Sequence, residues 1–215
     1  DENVTVPGVS LMQRDKNTDT VYLSYSSPKT PSRVYKYNLQ TKEKILVKEQ
    51  EIPSGHIPDD YIVERIDYKS HDGRLVPLTI TRHKNTKLDG SANLLLYGYG
   101  SYGSSMNPIF SSTRLSLINR DIIWATAHIR GGMERGMKWW KEGKLLNKKN
   151  TFEDYIYAAK YLIEKKYTSK KKIIGMGGSA GGLLMGAVVN KAPELFLGII
   201  MAVPFVDSLT TNLDH

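Results

Sequence analysis

The sequence has 215 residues, of which 30 are Lys or Arg and 22 are Asp or Glu, and its formal net charge is +8 at pH 7. Hydrophobic residues make up 40% and charged residues 24%, a composition that excludes a disordered or collagen-like chain. Cysteine is absent, so disulfides, Cys-ligated metals and thiol nucleophiles are excluded. The lack of cysteine agrees with a reducing cytoplasm, which is the location we expect.

The distribution of charge and hydropathy limits the partners. No stretch approaches the ~18–20 consecutive apolar residues of a membrane-spanning helix, so we expect no membrane partner. Most of the excess positive charge lies between Glu134 and Lys172, and such a surface is typical of nucleic-acid-binding proteins. The aromatic residues within this run follow no stacking rhythm. We therefore interpret this basic run as the solvated face of a helix with its flanking loops, and we expect no nucleic-acid partner.

The first 60 residues are rich in short β-type runs. Alternation and enrichment in Tyr, Val and Thr predict three strands, Thr20–Ser26, Arg33–Asn38 and Glu43–Lys48. Pro28 and Pro31 separate the first two. One such meander cannot bury a core alone, so we expect part of a larger β array that lies upstream. The sequence begins with Asp1 rather than Met, and we expect an engineered segment, a cleavage product or a piece of a longer protein.

Strands and helices alternate after a polar linker that ends near residue 60. A turn at His71–Arg74 predicts a hairpin of Tyr61–Lys69 and Val76–Arg82. Short apolar runs predict four buried strands, Asn93–Tyr97, Ile122–Ala127, Lys172–Met176 and Gly198–Val203.

Two segments between these strands have the apolar spacing of helices. The first contains Phe152–Ile163 and is opened by a near capping box of Thr151 and Asp154, and the second is Ala180–Asn190. The predicted fold class is α/β, a mostly parallel sheet covered on both faces. We expect this domain to occupy residues 61–215 and the β-rich segment to occupy residues 1–60.

The most specific motif is the string GGSAGG at residues 177–182, between an apolar strand and an apolar helix. This is the context of the nucleophile elbow G-x-S-x-G, in which glycines at Gly177 and Gly181 let strand and helix pass closely. Ser179 would then project above the strand end, and the Ala180 N–H could point at a developing oxyanion. The alternative is a Gly-rich turn that only binds an anion or only packs. A P-loop is excluded because no Gly-Lys-Ser/Thr follows.

A second glycine-rich turn, residues 97–103, matches G-x-G-x-x-G directly after a strand. A dinucleotide site is disfavoured because the residues after Gly103 include Pro108 and do not open a helix. Asp121 also lies at the wrong end of the next strand for a ribose contact. We predict an active-site loop that supplies an oxyanion donor from a backbone N–H or from the Tyr99 hydroxyl.

A third loop, residues 128–136, leaves a strand at the same edge of the sheet. Arg130 could clamp a carboxylate or brace the loop, and bracing is the favoured interpretation. His128 is a candidate base, but in this architecture the catalytic His follows the nucleophile in sequence. A structural role for His128 is therefore expected.

Three separated strings, LYGYGSYG, HIRGGMERG and GMGGSAGGLLMGAVVNKAPELF, resemble in sequence and order the prolyl oligopeptidase family of serine peptidases. Within the family they look most like the oligopeptidase B branch, also called protease II. The N-terminal strands are similar to the last blade of that family's β-propeller. The resemblance covers nearly the whole chain. It implies a seven-bladed propeller that restricts entry and an α/β-hydrolase domain that cuts short peptides, in this branch after Lys or Arg.

The resemblance also implies site residues. It makes Ser179 the nucleophile and assigns the oxyanion hole to the Ala180 amide and Tyr99, and it puts the family's acid and His beyond the end of the sequence. Three candidate partners follow the nucleophile, Asp207, Asp214 and His215, and the predicted sheet order does not favour them. We therefore expect a fragment, the last propeller blade plus the N-terminal part of the hydrolase domain. We expect such a chain to be inactive alone, unless a separate chain completes it.

One departure concerns specificity. The oligopeptidase B branch commonly has acidic residues in the segment corresponding to Ser105–Phe110, which here reads SMNPIF and has no carboxylate. The predicted function is hydrolysis of short peptides after Lys or Arg through an acyl-enzyme on Ser179, without cofactor or metal. The alternatives are an esterase or other acyl hydrolase of the same fold, or a catalytically inactive remnant.

Overall fold

The computed structural model describes residues 8–14 and 18–213, so the candidate partners Asp214 and His215 lie outside the described residues. The strands are β1 Gly8–Arg14, β2 Thr20–Ser27, β3 Thr30–Asn38, β4 Lys44–Glu49, β5 Tyr61–Lys69, β6 Leu75–His83, β7 Leu94–Tyr97, β8 Ile123–Ala127, β9 Ile173–Gly178 and β10 Phe196–Ala202. The α-helices are α1 Ser112–Ile118, α2 Met137–Lys141, α3 Lys149–Glu164, α4 Ala180–Lys191 and α5 Ser208–Leu213.

Strands β1 to β4 form an antiparallel sheet in that order, the size of one propeller blade. The sequence predicted β2, β3 and β4 but missed β1, whose apolar Val9 and Leu11 are both exposed on an edge strand. Pro31 lies within β3 and not in the turn, which consists of Pro28 and Lys29 alone. A proline is tolerated there because it lies at the start of the strand.

The second sheet contains β5 to β10 in the order β10-β9-β7-β8-β6-β5. Strands β7 to β10 pair in parallel, and β5 and β6 form the predicted antiparallel hairpin. In β7, Leu94 and Leu96 pack in the core formed with α3 and α4, whereas Leu95 packs in the core formed with α1. The predicted α/β sheet with both faces covered is therefore confirmed.

Strand β10 is an edge of this sheet in the described part of the chain. Its apolar run resembles that of a buried central strand, yet Leu197 is 62% exposed and Ile200 and Met201 are also exposed. Among the described helices, none has the length and apolar character needed to cross a membrane.

Polar contacts join the β1–β4 sheet to the rest of the described chain, among them an ion pair between Lys29 and Asp59. The Phe110 N–H donates to Ser26 Oγ at 3.2 Å, and His56 Nε2 lies 2.7 Å from the Lys29 carbonyl oxygen. The boundary at residue 60 falls between the two sheets, and the division into domains 1–60 and 61–215 stays a prediction.

Candidate active site

Ser179 lies in the turn between β9 and α4, where its backbone has φ 55° and ψ −118°. A residue with a side chain rarely adopts this conformation, which costs of order 1–3 kcal/mol and persists only where surrounding contacts impose it. Here the Ser179 N–H donates to the Ala202 carbonyl at 2.9 Å, and the Phe205 N–H donates to the Ser179 carbonyl at 3.1 Å. The end of β10 and the loop after it therefore hold the turn, and the Ser179 side chain remains exposed.

The glycines of the predicted elbow are required by close approach. A Cβ on Gly181 would lie 2.9 Å from the Gly98 carbonyl oxygen, and one on Gly177 would meet the backbone of Gly181. The strand, the helix and the loop after β7 therefore converge at this point. This convergence brings the second glycine-rich turn next to Ser179.

Ala180 and Tyr99, the two predicted oxyanion donors, both lie at this turn. Ala180 is the first residue of α4, and its N–H has no acceptor among the described residues. The Tyr99 ring lies beside the same helical turn, since a Cβ on Gly181 would be 3.3 Å from Tyr99 Cδ2. The structure therefore brings Ser179, Ala180 and Tyr99 together, while their catalytic roles stay predictions.

A general base for Ser179 is absent from the described residues. Their four histidines, His56, His71, His83 and His128, make their hydrogen bonds elsewhere. Asp207, the described member of the three candidate partners, accepts a hydrogen bond from the Thr210 N–H and so caps the start of α5. Within the described chain, Ser179 therefore has the free Ala180 N–H beside it but no histidine.

A cavity of about 330 Å³ opens beside Ala180. Its larger lining side chains are Tyr102, Trp140, Lys144, Leu145, Lys148, Leu183 and Phe205. This lining is aromatic and aliphatic with two lysines, and none of the lining residues has a carboxylate. The part of the chain that the structure describes therefore offers no acidic group here for a basic side chain.

His128 belongs to the core of the sheet and not to the site. It is 1% exposed, its Nε2 lies 2.8 Å from Thr79 Oγ1, and its Nδ1 lies 3.6 Å from Glu134 Oε1. Burial lowers the pKa of His128 despite the neighbouring Glu134 carboxylate. The structure thus agrees with the expected structural role.

Arg130 braces the loop, as expected. Its Nη1 donates to Asp72 Oδ2 and its Nη2 to Asp154 Oδ1, both at 2.6 Å. The predicted capping box was wrong, because α3 already begins at Lys149. Thr151 instead lies inside the helix and donates to the Arg130 carbonyl at 2.7 Å, so both residues of the supposed box bind the loop.

The segment after Gly103 forms no helix before α1, as the sequence indicated. The Met106 N–H donates to Glu134 Oε1 at 2.9 Å. No sequence pattern singled out Lys148, which donates to the Gly100 carbonyl and to Ser101 Oγ. It is one of many lysines in a basic run, and a long-range contact leaves no local pattern.

Ser179 lies at a strained elbow, and the next residue has a free N–H. Together with a mostly parallel sheet that has helices on both faces, this elbow defines an α/β-hydrolase. Comparison with known proteins gives the family. Residues 108–215 match the prolyl oligopeptidase family. Dipeptidyl aminopeptidase BI of Pseudoxanthomonas mexicana is 45% identical over 215 residues, which are 100% of this chain and 30% of that protein. Protease 2 of Moraxella lacunata is 44% identical over 204 residues, 95% of this chain and 30% of that protein.

The solved structures agree with these relatives. Oligopeptidase B from Leishmania major superposes with a TM-score of 0.89 at 39% identity, over 97% of this chain and 30% of that one. The chain therefore belongs to the prolyl oligopeptidase family. It spans about 30% of the length of the curated relatives named here.

Proposed function

We propose that this chain contains the nucleophile of a serine peptidase that hydrolyses short peptides through an acyl-enzyme on Ser179. The proposal rests on the backbone of Ser179, held at positive φ in the exposed turn between β9 and α4. Strain of this kind is concentrated at active sites. The names of the relatives, which include an aminopeptidase and a protease, support a peptide substrate over other acyl groups.

The proposed chemistry is acyl transfer. Ser179 Oγ attacks the carbonyl carbon of the scissile bond while its proton passes to a general base, and the resulting oxyanion accepts hydrogen bonds from the Ala180 N–H and the Tyr99 hydroxyl. Collapse of this intermediate breaks the C–N bond, and the amine leaves with the proton from the base. Water then hydrolyses the ester on Ser179. The base and its acid come from outside the described residues, within a longer protein that we call the whole protein.

We also propose cleavage after Lys or Arg, on the basis of the resemblance to the oligopeptidase B branch. The cavity beside Ala180 has no carboxylate among its lining residues. We expect the acidic groups that bind a basic side chain to come from other parts of the whole protein or from a second chain. Peptides that differ only in Arg, Lys or Leu before the scissile bond test this preference through kcat/KM. Faster cleavage after Leu would refute it.

The nucleophile is tested by covalent labelling of the whole protein with a fluorophosphonate probe. We expect one labelled serine, identified as Ser179 by peptide mapping, and no labelling of Ser179→Ala. The matched control Ser54→Ala changes an exposed serine outside the site and should label like the wild type. Unchanged labelling of Ser179→Ala would overturn the assignment.

Turnover separates peptidase from esterase. Matched amide and ester substrates should both be cleaved by the whole protein, whereas cleavage of the ester alone would favour the esterase alternative. The 215-residue chain by itself should give no turnover, because no described histidine contacts Ser179 and a neutral hydroxyl is a weak nucleophile. Turnover by this chain that disappears in Ser179→Ala would contradict the expectation.

A further inference from the structure

Lys148 connects the start of α3 to the loop that contains Tyr99. Its Nζ donates to the Gly100 carbonyl oxygen at 2.5 Å and to Ser101 Oγ at 2.8 Å. Both acceptors belong to the loop that follows β7. The side chain is partly buried and lines the cavity beside Ala180.

These bonds complete the anchoring of Tyr99. On its N-terminal side, the Gly98 N–H donates to the Met176 carbonyl of β9 at 3.1 Å. On its C-terminal side, the Gly100 carbonyl is held by Lys148. Tyr99 thus lies between two fixed peptide groups. The Tyr99 hydroxyl has no hydrogen-bond partner of its own in the described chain, so its position depends on the backbone of this loop.

The Lys148 ammonium is balanced by hydrogen bonds to the loop and not by a counter-charge in the described chain. Burial alone lowers the pKa of Lys148, to about 8, and no carboxylate among the described residues forms an ion pair with it. Lys148 also immediately precedes α3, where the helix dipole disfavours a cation. The other titratable side chains that line the cavity are Tyr102 and Lys144, and the Lys144 ammonium lies 3.6 Å from the Trp140 ring centroid.

A partly buried ammonium costs free energy unless its interactions offset the loss of hydration. An apolar side chain would fill the same space without this cost. The interactions that the charge makes here are with the Gly100 carbonyl and the Ser101 hydroxyl, in the loop of a predicted oxyanion donor.

We propose that Lys148 is a positioning residue of the peptidase. Its ammonium holds the Gly100–Ser101 segment so that the Tyr99 hydroxyl stays directed at the developing oxyanion. This inference rests on the proposed function. Because the oxyanion hole acts in the transition state, loss of Lys148 should lower kcat and leave KM nearly unchanged.

The test uses the whole protein with Lys148→Met and the matched control Lys149→Met, which removes the ammonium of the exposed next residue. We expect Lys148→Met to lower kcat by ~10–100-fold, the scale of a small misplacement of a catalytic group. KM should change less than about twofold, and Lys149→Met should resemble the wild type. An unchanged kcat in Lys148→Met would overturn the proposal.

A double-mutant cycle with Tyr99→Phe separates positioning from a general structural role. If Lys148 acts through the Tyr99 hydroxyl, Lys148→Met should have little further effect on kcat in a protein that already has Tyr99→Phe. An equal fold-loss in both backgrounds would overturn the proposal. Thermal unfolding of each variant reports whether it is folded.

A second variant covers the case in which Lys148→Met does not fold. In Lys148→Cys, alkylation with 2-bromoethylamine restores an ammonium of nearly the original length, and this chain contains no other cysteine. Alkylation should raise kcat toward the wild-type value, while identically treated wild type should not change. Failure to restore kcat in a folded, alkylated protein would overturn the proposal.

The pH profile adds a further readout. Since the ammonium is the active form of Lys148, the kcat of the wild type should fall as the pH rises through about 8. This fall should be absent from Lys148→Met. A wild type without Ser179-dependent turnover would refute the proposed function itself. An active wild type whose kcat and pH profile do not depend on Lys148 would refute the positioning role alone.

Discussion

Asp154 accepts three hydrogen bonds from Arg130. Its Oδ2 accepts from the Arg130 backbone N–H at 3.0 Å and from Nε at 2.9 Å, and its Oδ1 accepts from Nη2 at 2.6 Å. The Asp154 and Arg130 side chains are 0% and 2% exposed. This pair fastens α3 to the loop after β8, and the same helix begins beside Lys148. A buried ion pair therefore ties the loop after β8 to the helix that begins next to the candidate site.

Removing one partner of this pair should destabilise the chain strongly. We expect Arg130→Met to lower the free energy of unfolding by about 3–5 kcal/mol, because it leaves a buried carboxylate without a counter-charge. Denaturant unfolding of the chain measures this loss. The control Arg74→Met removes the more exposed pair with Glu142 and should cost at most about 1 kcal/mol. Equal effects of the two substitutions would show that Arg130 does not brace the loop.

The elbow should not tolerate a methyl group at Gly177. A Cβ there would lie 2.3 Å from the Gly181 carbonyl oxygen, a backbone atom that no side-chain rotation can move. We expect Gly177→Ala to lower the free energy of unfolding by about 1–3 kcal/mol or more. Gly198→Ala is the matched control, since a Cβ on that β10 glycine meets nothing within 4 Å. Indistinguishable melting temperatures for the two variants would contradict the predicted clash.

Removing the Tyr99 hydroxyl should slow the chemical step. In the whole protein, Tyr99→Phe should lower kcat by ~10²–10³-fold, the usual effect of losing one oxyanion donor. Tyr37→Phe, in the β1–β4 sheet, is the control and should leave kcat unchanged. A decrease in kcat smaller than about twofold in Tyr99→Phe would mean that this hydroxyl does not contact the oxyanion.

The exposed face of β10 should make the 215-residue chain self-associate. Unpaired strand edges with apolar side chains tend to pair with other chains, and Leu197 and Ile200 are both exposed there. We expect Ile200→Lys to increase the monomer fraction in sedimentation velocity. Leu146→Lys, at a 98% exposed residue away from the edge, should have no effect. A wild-type chain that is already monomeric at high concentration would refute this prediction.

Part of the site was predictable because its determinants are local. The GGSAGG string between an apolar strand and an apolar helix predicted the turn at Ser179, and the structure has the required positive φ there. The close packing expected at Gly177 and Gly181 is also present. Such patterns are readable because a tight turn constrains the residues that form it.

Other elements were missed because they have little local signature. The apolar residues of β1 are exposed. Its sequence therefore lacks the alternation of apolar and polar residues that a strand with one buried face would have. The short helices α1 and α2 contain 7 and 5 residues, too few for a helical period to be recognised. The pattern of Thr151 and Asp154 predicted a cap, but both side chains have stronger partners in the loop after β8.

The sequence by itself determined the α/β class, the alternation of the longer strands and helices after residue 60, and the turn at Ser179, since these depend on periodicity and on turn geometry between near neighbours. Only the tertiary structure decided the partners of Arg130, Thr151 and Lys148. The Arg130 guanidinium meets Asp72 from 58 residues away, and the Lys148 ammonium reaches Gly100 across 48 residues. Contacts of this kind depend on how β7, β8 and α3 pack in three dimensions, and packing brings together side chains that no local pattern connects.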